Sequence, residues 1–477
     1  MTRMLFWNVE HFNQARFYSI SANNDVAAGM TQAQSAAQRV ALLQRVIVAA
    51  NPDVIVIVEV TVGKHLASRL AQNITAPLQL LDWLRNAAPL PVQSPTWRLV
   101  PPLALAGTPN NAGLESVGVF YRGQTGTVDR FFTGPNVWPG GVNGEPALPG
   151  AAVPAAYGVN TRMGQNVDLN TLLVPPLTAA RTIPAGALHN GNGLIAENTV
   201  AARWRLRTMV LGAPGPNVNF GVARPPLMVT LTERTGVGAL RNLTVFGVHA
   251  RATGPGALGY ITTLSTTYEV ASDLGADETR MIGGDFNANL LQNDGRVTTA
   301  YNPLTNHQGG YRLLLQPTAP PPLAPAELAA WKGYFGTHIN PVDDPPLVNN
   351  ARTSRFLWSD GVTGPSYYPA YRYQSNLYYS IDNVLVRPFD DTRNYQTSIL
   401  NTVLSAPLDA LQPVPAGAPQ GTLAIGAEIA TIAGAAAWPQ APLAARFVNA
   451  NANLLIAWPR YGHIVSTSDH FALFTDV

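Results

Sequence analysis

The chain contains no cysteine. Disulfides and thiolate-held metals are therefore excluded, and only oxygen and imidazole donors are left to hold an ion. Charge is scarce too. Asp, Glu, Lys and Arg make up 12% of the 477 residues, about half the ordinary share of ~25%. The net charge is +2, so no broad basic field announces a nucleic acid or an anionic membrane. Lysine is almost missing, with Lys64 and Lys332 the only two among 30 basic residues. A GC-rich genome accounts for this, since Ala, Gly and Pro are abundant; selection against lysine, as in some cell-entering toxins, is the weaker explanation. No apolar run approaches the ~18 residues of a membrane span. The opening MTRMLFWNVEHF enters a short strand-like run with no signal-peptide h-region or cleavage site. The expectation is a soluble protein made in the cytoplasm, with no stable membrane association and with signal-independent secretion or delivery left open.

What is present is a large apolar fraction, 46%, arranged in short runs that end in polar residues. MLFWNV (4–9) reads as a strand ending at Asn8. Residues 32–50 carry Val40, Leu43 and Ile47 at helical spacing, with Thr31 as a candidate cap and Asn51-Pro52 as the stop. DVIVIVEV (53–60) is the β-branched run of a strand buried on both faces, and it closes on Glu59. A carboxylate there is costly unless paired or bound to a cation. Further strands are expected at 115–122, 225–231, 243–250, 280–287, 380–387 and 467–474, with a helix over 256–275. Three stretches rich in Gly, Pro and Ala interrupt them, at about 123–200, 301–375 and 405–460, the last with a candidate helix at 420–436. Polar-ended strands occur from one end of the chain to the other, so residues 1–477 are expected to form one domain with ordered insertions.

The stretch GGDFNANL (283–290) puts Asp285 and Asn287 two apart after apolar Met281 and Ile282. In a strand, residues two apart share a face; Gly, Asp and Asn also form turns. Asp285 and Asn287 belong to a larger set at or near the ends of the apolar runs: Asn8, Glu59, Glu115, His249, Asp382, Asp469 and His470. Carboxylates and amides suit Mg²⁺ or Mn²⁺ better than Zn²⁺. Two separate histidines, each with a candidate carboxylate partner, suit proton transfer or phosphate contact. The set points to metal-assisted attack of water on a phosphoester.

The order WNVEHF (7–12), VIVEV (56–60), ESVGVFYR (115–122), ARPPLMVTL (223–231), VFGVHA (245–250), GGDFNA (283–288), YSIDNVLV (379–386) and SDHFAL (468–473) resembles the endonuclease/exonuclease/phosphatase (deoxyribonuclease I-like) superfamily. The resemblance implies an α/β fold: a four-layer α/β sandwich of two packed mixed β-sheets flanked by helices, with the site where strand ends meet. It implies that Asn8, Glu59 and Asp469 hold Mg²⁺ or Mn²⁺. Asp285 would orient water or act as general base, with Asn287 on the phosphate. His470 with Asp382 would stabilise the developing charge, and His249 with Glu115 would stand opposite. Arg224 would contact phosphate. One departure is Gly113, where the deoxyribonuclease I branch carries a Tyr two residues before the matched Glu.

The activity implied is a metal-dependent phosphoric ester hydrolase, in the first place an endonuclease cutting DNA ahead of RNA, because ARPP and the Glu115–His249 arrangement look most like the deoxyribonuclease branch. A phosphatase or phosphodiesterase acting on a lipid head group or small metabolite is the second reading. A catalytically silent binding protein is the third, and the completeness of the polar set speaks against it. The RWRLR stripe (203–207) reads as a solvated edge or a DNA contact, and SYYPAYRYQSNLYY as insertion packing or base-stacking platforms. His11, His65, His189, His307, His338 and His463 receive no role.

Overall fold

The computed structural model describes residues 2–18, 32–62, 74–100, 102, 104–105, 114–125, 128–129, 131–133, 224–234, 240–251, 256–271, 273–274, 278–306, 310–321, 323, 335–339, 378–400, 468 and 470–477. Thr31, Gly113, the RWRLR stripe, the 420–436 helix, Asp469, most of the Tyr-rich segment, and His65, His189, His307 and His463 lie outside them.

In chain order, β1 (Arg3–Phe12) is followed by α1 (Gln14–Phe17), α2 (Gln32–Ala50), β2 (Val54–Val62), α3 (Thr75–Asn86), β3 (Trp97–Val100) and β4 (Leu114–Arg122). A small ribbon of β5 (Gln124–Thr125) and β6 (Val128–Asp129) precedes β7 (Phe131–Thr133), β8 (Leu227–Arg234) and β9 (Leu240–His249). Then come α4 (Gly256–Ser265), α5 (Tyr268–Ala271), β10 (Glu278–Asp285), α6 (Asn302–Thr305) and β11 (Arg312–Leu313). A second ribbon of β12 (His338–Ile339) and β13 (Tyr378–Tyr379) leads to β14 (Asp382–Arg387), β15 (Gln396–Leu400) and β16 (Ala472–Asp476).

The strands form two six-stranded mixed sheets, ordered β15-β16-β1-β2-β4-β3 and β11-β14-β10-β9-β8-β7. Each has one parallel pair at its heart, β1 with β2 and β10 with β9, bounded by antiparallel neighbours. The parallel strands need crossovers. On the first sheet α2 lies in the crossover and buries Leu43, Val46, Ile47 and Ala50, the spacing of one helix face. On the second, α4 and α5 bury Tyr260, Ile261, Leu264 and Val270. The result is helix, sheet, sheet, helix, as expected.

The inner faces meet closely. A Cβ on Gly283 of β10 would fall 2.5 Å from the Phe6 ring of β1, so only glycine lets the two strands pack there. Around this seam Val56, Val117 and Val245 are fully buried or nearly so.

Three local expectations are corrected. β1 does not end at Asn8 but continues to Phe12 through an irregularity. The helix expected over 256–275 breaks after Ser265. Ser265, Thr266 and Thr267 turn their hydroxyls back onto the carbonyls of Thr262 and Thr263 at 2.8–3.2 Å, competing with the backbone ladder. Asn287 is not on the strand: β10 stops at Asp285, and Asn287 is left-handed at φ +49°.

Candidate active site

The sheet register brings the polar residues to one end of the molecule. Asp285 closes β10 between two direct neighbours, His249 of β9 on one side and Asp382 of β14 on the other. Asn8 of β1 reaches the same point from the facing sheet and donates from Nδ2 to Asp285 Oδ2 at 3.2 Å. It also donates to Glu59 Oε1 at 3.2 Å. His470 precedes β16, and the Trp7 indole, donating to its carbonyl at 2.9 Å, holds it against β1.

The irregularity in β1 has a structural role. Asn8 faces Val58 and Phe12 faces Val60, so Val9, Glu10 and His11 share the space opposite Glu59 alone. Glu10 (φ +47°), His11 (+58°) and Glu59 (+60°) are all left-handed. Such residues cost on the order of 1 kcal/mol or more each and gather where a side chain has to be aimed. Here the bulge turns the His11 amide onto Glu59 Oε2 at 3.2 Å and the Glu10 amide onto Asn8 Oδ1 at 3.0 Å.

Asp285 and Asn287 are close because of a turn, not strand alternation. The Asn287 amide donates to Asp285 Oδ1 at 2.7 Å, and its Nδ2 donates to Asp285 Oδ2 at 3.2 Å and to the Ala250 carbonyl at 2.7 Å.

Two imidazoles flank this carboxylate. His470 Nδ1 lies 2.8 Å from Asp382 Oδ2, leaving Nε2 3.8 Å from Asp285 Oδ2. His249 Nδ1 lies 2.9 Å from Glu115 Oε2, leaving Nε2 3.6 Å from the same Asp285 oxygen and 3.2 Å from Glu59 Oε1. Arg224 closes the second group, 2.7 Å from Glu115 Oε1 and 2.8 Å from His249 Nδ1. Burial favours a neutral His249, but the hydrogen bond to Glu115 and the charges of Glu59 and Asp285 outweigh it and hold the imidazole above its ordinary pKa. Burial also raises Glu59; the charges of His249, His11 and His470 reverse this and leave its carboxyl below the usual range. Asp285 stands above its ordinary value, chiefly through burial.

Every described member of the expected set therefore lies in this cluster: Asn8, Glu59, Glu115, Arg224, His249, Asp285, Asn287, Asp382 and His470. Asp469 is outside the described residues. Four residues were not singled out by the sequence reading. His11 donates its amide to Glu59. Ser468 donates to the Asn8 carbonyl at 2.6 Å and accepts the His470 amide at 2.9 Å. Thr337 accepts the Asp382 amide at 2.9 Å, and His338 packs on His470. Ser468 opens the SDHFAL motif and was visible there without a role; Thr337 and His338 lie in an insertion with no motif around them.

The donor set fits a hard divalent cation. Glu59 and Asp285 share the Asn8 amide nitrogen and bring hard carboxylate oxygens together beside it, the donor type that Mg²⁺ and Mn²⁺ take. Asp285, Asp382 and His470 offer donor atoms within 4.8 Å of one another, a buried group that could hold a metal ion.

No protein-family model matches the chain, and no curated protein matches it. Solved structures are similar at low identity. The human Nocturnin catalytic domain with bound sulfate is 12% identical, with TM-score 0.31, covering 81% of this chain and 82% of its own. TDP2 of D. rerio complexed with single-strand DNA product is 9% identical, with TM-score 0.36, covering 100% and 99%. A Bacteroides thetaiotaomicron mannosyl-6-phosphatase is 11% identical, with TM-score 0.37, covering 100% and 99%. The chain's own sheet order, two six-stranded mixed sheets whose parallel pairs meet at one polar end, is that of the two-sheet α/β sandwich expected from the sequence.

Proposed function

We propose that the chain is a divalent-metal-dependent phosphoesterase, and specifically a nuclease that hydrolyses DNA phosphodiester bonds. One observation carries the reading: two carboxylate-backed imidazoles aim their Nε2 atoms at the same buried carboxylate oxygen from 3.6 and 3.8 Å. Asp285 Oδ2 between them is placed to orient a water and take its proton, and its raised pKa makes it the stronger base. His470, its Nδ1 proton held by Asp382, donates from Nε2 to a phosphate oxygen as charge grows there. His249, backed by Glu115 and Arg224, serves the oxygen on the other side. Asn287, fixed by Ala250, holds the phosphate. Asn8 and Glu59, with Asp469 as their third partner, would hold Mg²⁺ or Mn²⁺; when bound, the cation supplies neutralising charge to the phosphate. Residues 1–477 act as one domain in this reading, with the insertions shaping access to the strand ends.

The test is nicking of supercoiled plasmid with Mg²⁺ or Mn²⁺, with and without chelator. Wild type is expected to nick only with metal, and Asp285→Ala to lose at least a hundredfold, about the share of a general base. Unchanged turnover in Asp285→Ala would sink the mechanism. A folded wild type that never nicks DNA but releases phosphate from small esters would move the substrate to the second class.

A further inference from the structure

Residues 335–339 belong to an insertion between motifs, yet they are built into the His470–Asp382 pair. Thr337 is fully buried. Its hydroxyl accepts the Asp382 amide at 2.9 Å, and its carbonyl accepts the Phe471 amide at 2.7 Å. One residue thus ties together the backbone that carries the carboxylate and the backbone that carries the imidazole. The next residue, His338, is half-buried. It forms an isolated antiparallel bridge with His470 and pairs with Tyr379 across the β12–β13 ribbon. Its ring is in contact with the His470 ring, with centroids 4.4 Å apart and planes tilted by 59°.

We propose that His338 is a positioning residue whose ring fixes the plane of the His470 imidazole. The inference rests on the role given to His470 above. The bond to Asp382 anchors Nδ1 but leaves the ring able to rock about that anchor, because the second torsion of a histidine is broad. Rocking would carry Nε2 away from Asn8 Nδ2, 3.4 Å off, and from Asp285 Oδ2. A second ring in contact with the first, tilted against it, removes that freedom. The backbone tie is Thr337's and stays when the His338 side chain is changed, so the two contributions separate experimentally.

The experiment is proton NMR of the metal-free full chain, following the downfield Nδ1–H resonance of His470, assigned by its loss in Asp382→Asn. In His338→Ala the resonance is expected to broaden through faster exchange with water. In His338→Phe, which keeps a ring, it is expected to stay sharp, and His338→Gln should behave like His338→Ala. In plasmid nicking, His338→Ala should lower kcat about tenfold at unchanged KM, the scale of a slightly misplaced group, while His338→Phe stays within about twofold. A sharp resonance in His338→Ala overturns the proposal. So does a Phe variant as impaired as the Ala variant, which would assign the effect to the imidazole's polar atoms. A wild type with no such resonance also overturns it, since the pair would not be ordered. The NMR arm needs no turnover: a wild type that keeps the resonance but fails to nick DNA refutes the nuclease reading alone.

Discussion

Asp382 is buried beside His470 and meets it at 2.8 Å. The carboxylate can only accept, so it takes the Nδ1 proton, and its negative charge favours the doubly protonated ring that can also donate from Nε2. An amide in its place carries no charge and can itself donate to Nδ1, so that support is lost. Asp382→Asn should therefore lower kcat by about 10²–10⁴-fold with little change in stability, read by plasmid nicking and a denaturant melt side by side. His249 gives a pH signature in metal-free protein. Its folded pKa is raised above the ordinary value by Glu115, Glu59 and Asp285 acting against burial. The stability it contributes is full below the ordinary histidine pKa and is lost as pH rises through the folded value. Denaturant midpoints taken in chelator should thus fall with rising pH above about 6.5, and His249→Gln should flatten that slope. A slope unchanged in the variant would place the titration elsewhere.

Among the elements, the β10–β1 contact is sensitive to a single methyl group. Gly283→Ala would drive a Cβ into the Phe6 ring. Overpacking of this kind costs roughly 1–3 kcal/mol, visible as a lower urea midpoint at unchanged slope. The strands themselves were legible in the sequence because their runs are β-branched and bounded: 53–60 became Val54–Val62, and 243–250 became Leu240–His249. The polar residues were legible because each sits beside such a run. What was not legible was geometry made between strands. Nothing in WNVEHF announces that three residues will bulge opposite Glu59, since a bulge is a property of a pair of strands. For Asp285 and Asn287 the sequence left strand alternation and a turn both open, and it is a left-handed turn that brings them together. Thr337 and His338 could not be found at all, because their partners lie 45 residues away at Asp382 and, for His338, at His470 just before the last strand.

Across the whole molecule, the two sheets are pinned together far from the polar end. Glu233 of β8 accepts from Arg241 of β9, and the Thr2 hydroxyl ahead of β1 donates to Glu233. Arg241 also reaches the Val477 carbonyl beyond β16 at 3.2 Å. All of these groups are buried. Glu233→Ala would leave the Arg241 charge unbalanced in the interior, and about 3–5 kcal/mol should be lost. Calorimetry would register this as a lower Tm, with metal affinity at the opposite end unaltered by comparison. Cation binding should act in the other direction: at a hundred times Kd it adds about 2.7 kcal/mol, so chelator should lower the Tm of wild type but shift Glu59→Ala little.

The pairing of β1 with β16 also has a consequence for synthesis. Arg3 and Asp476, bonded through Arg3 Nε at 2.7 Å, are 473 residues apart. During translation the first strand emerges early and keeps an open edge until its partner arrives. Through that interval His470 has not yet joined Asp382, Asn8 and Asp285. A chain that stops short of His470 and β16 therefore lacks one of the two imidazoles that face Asp285.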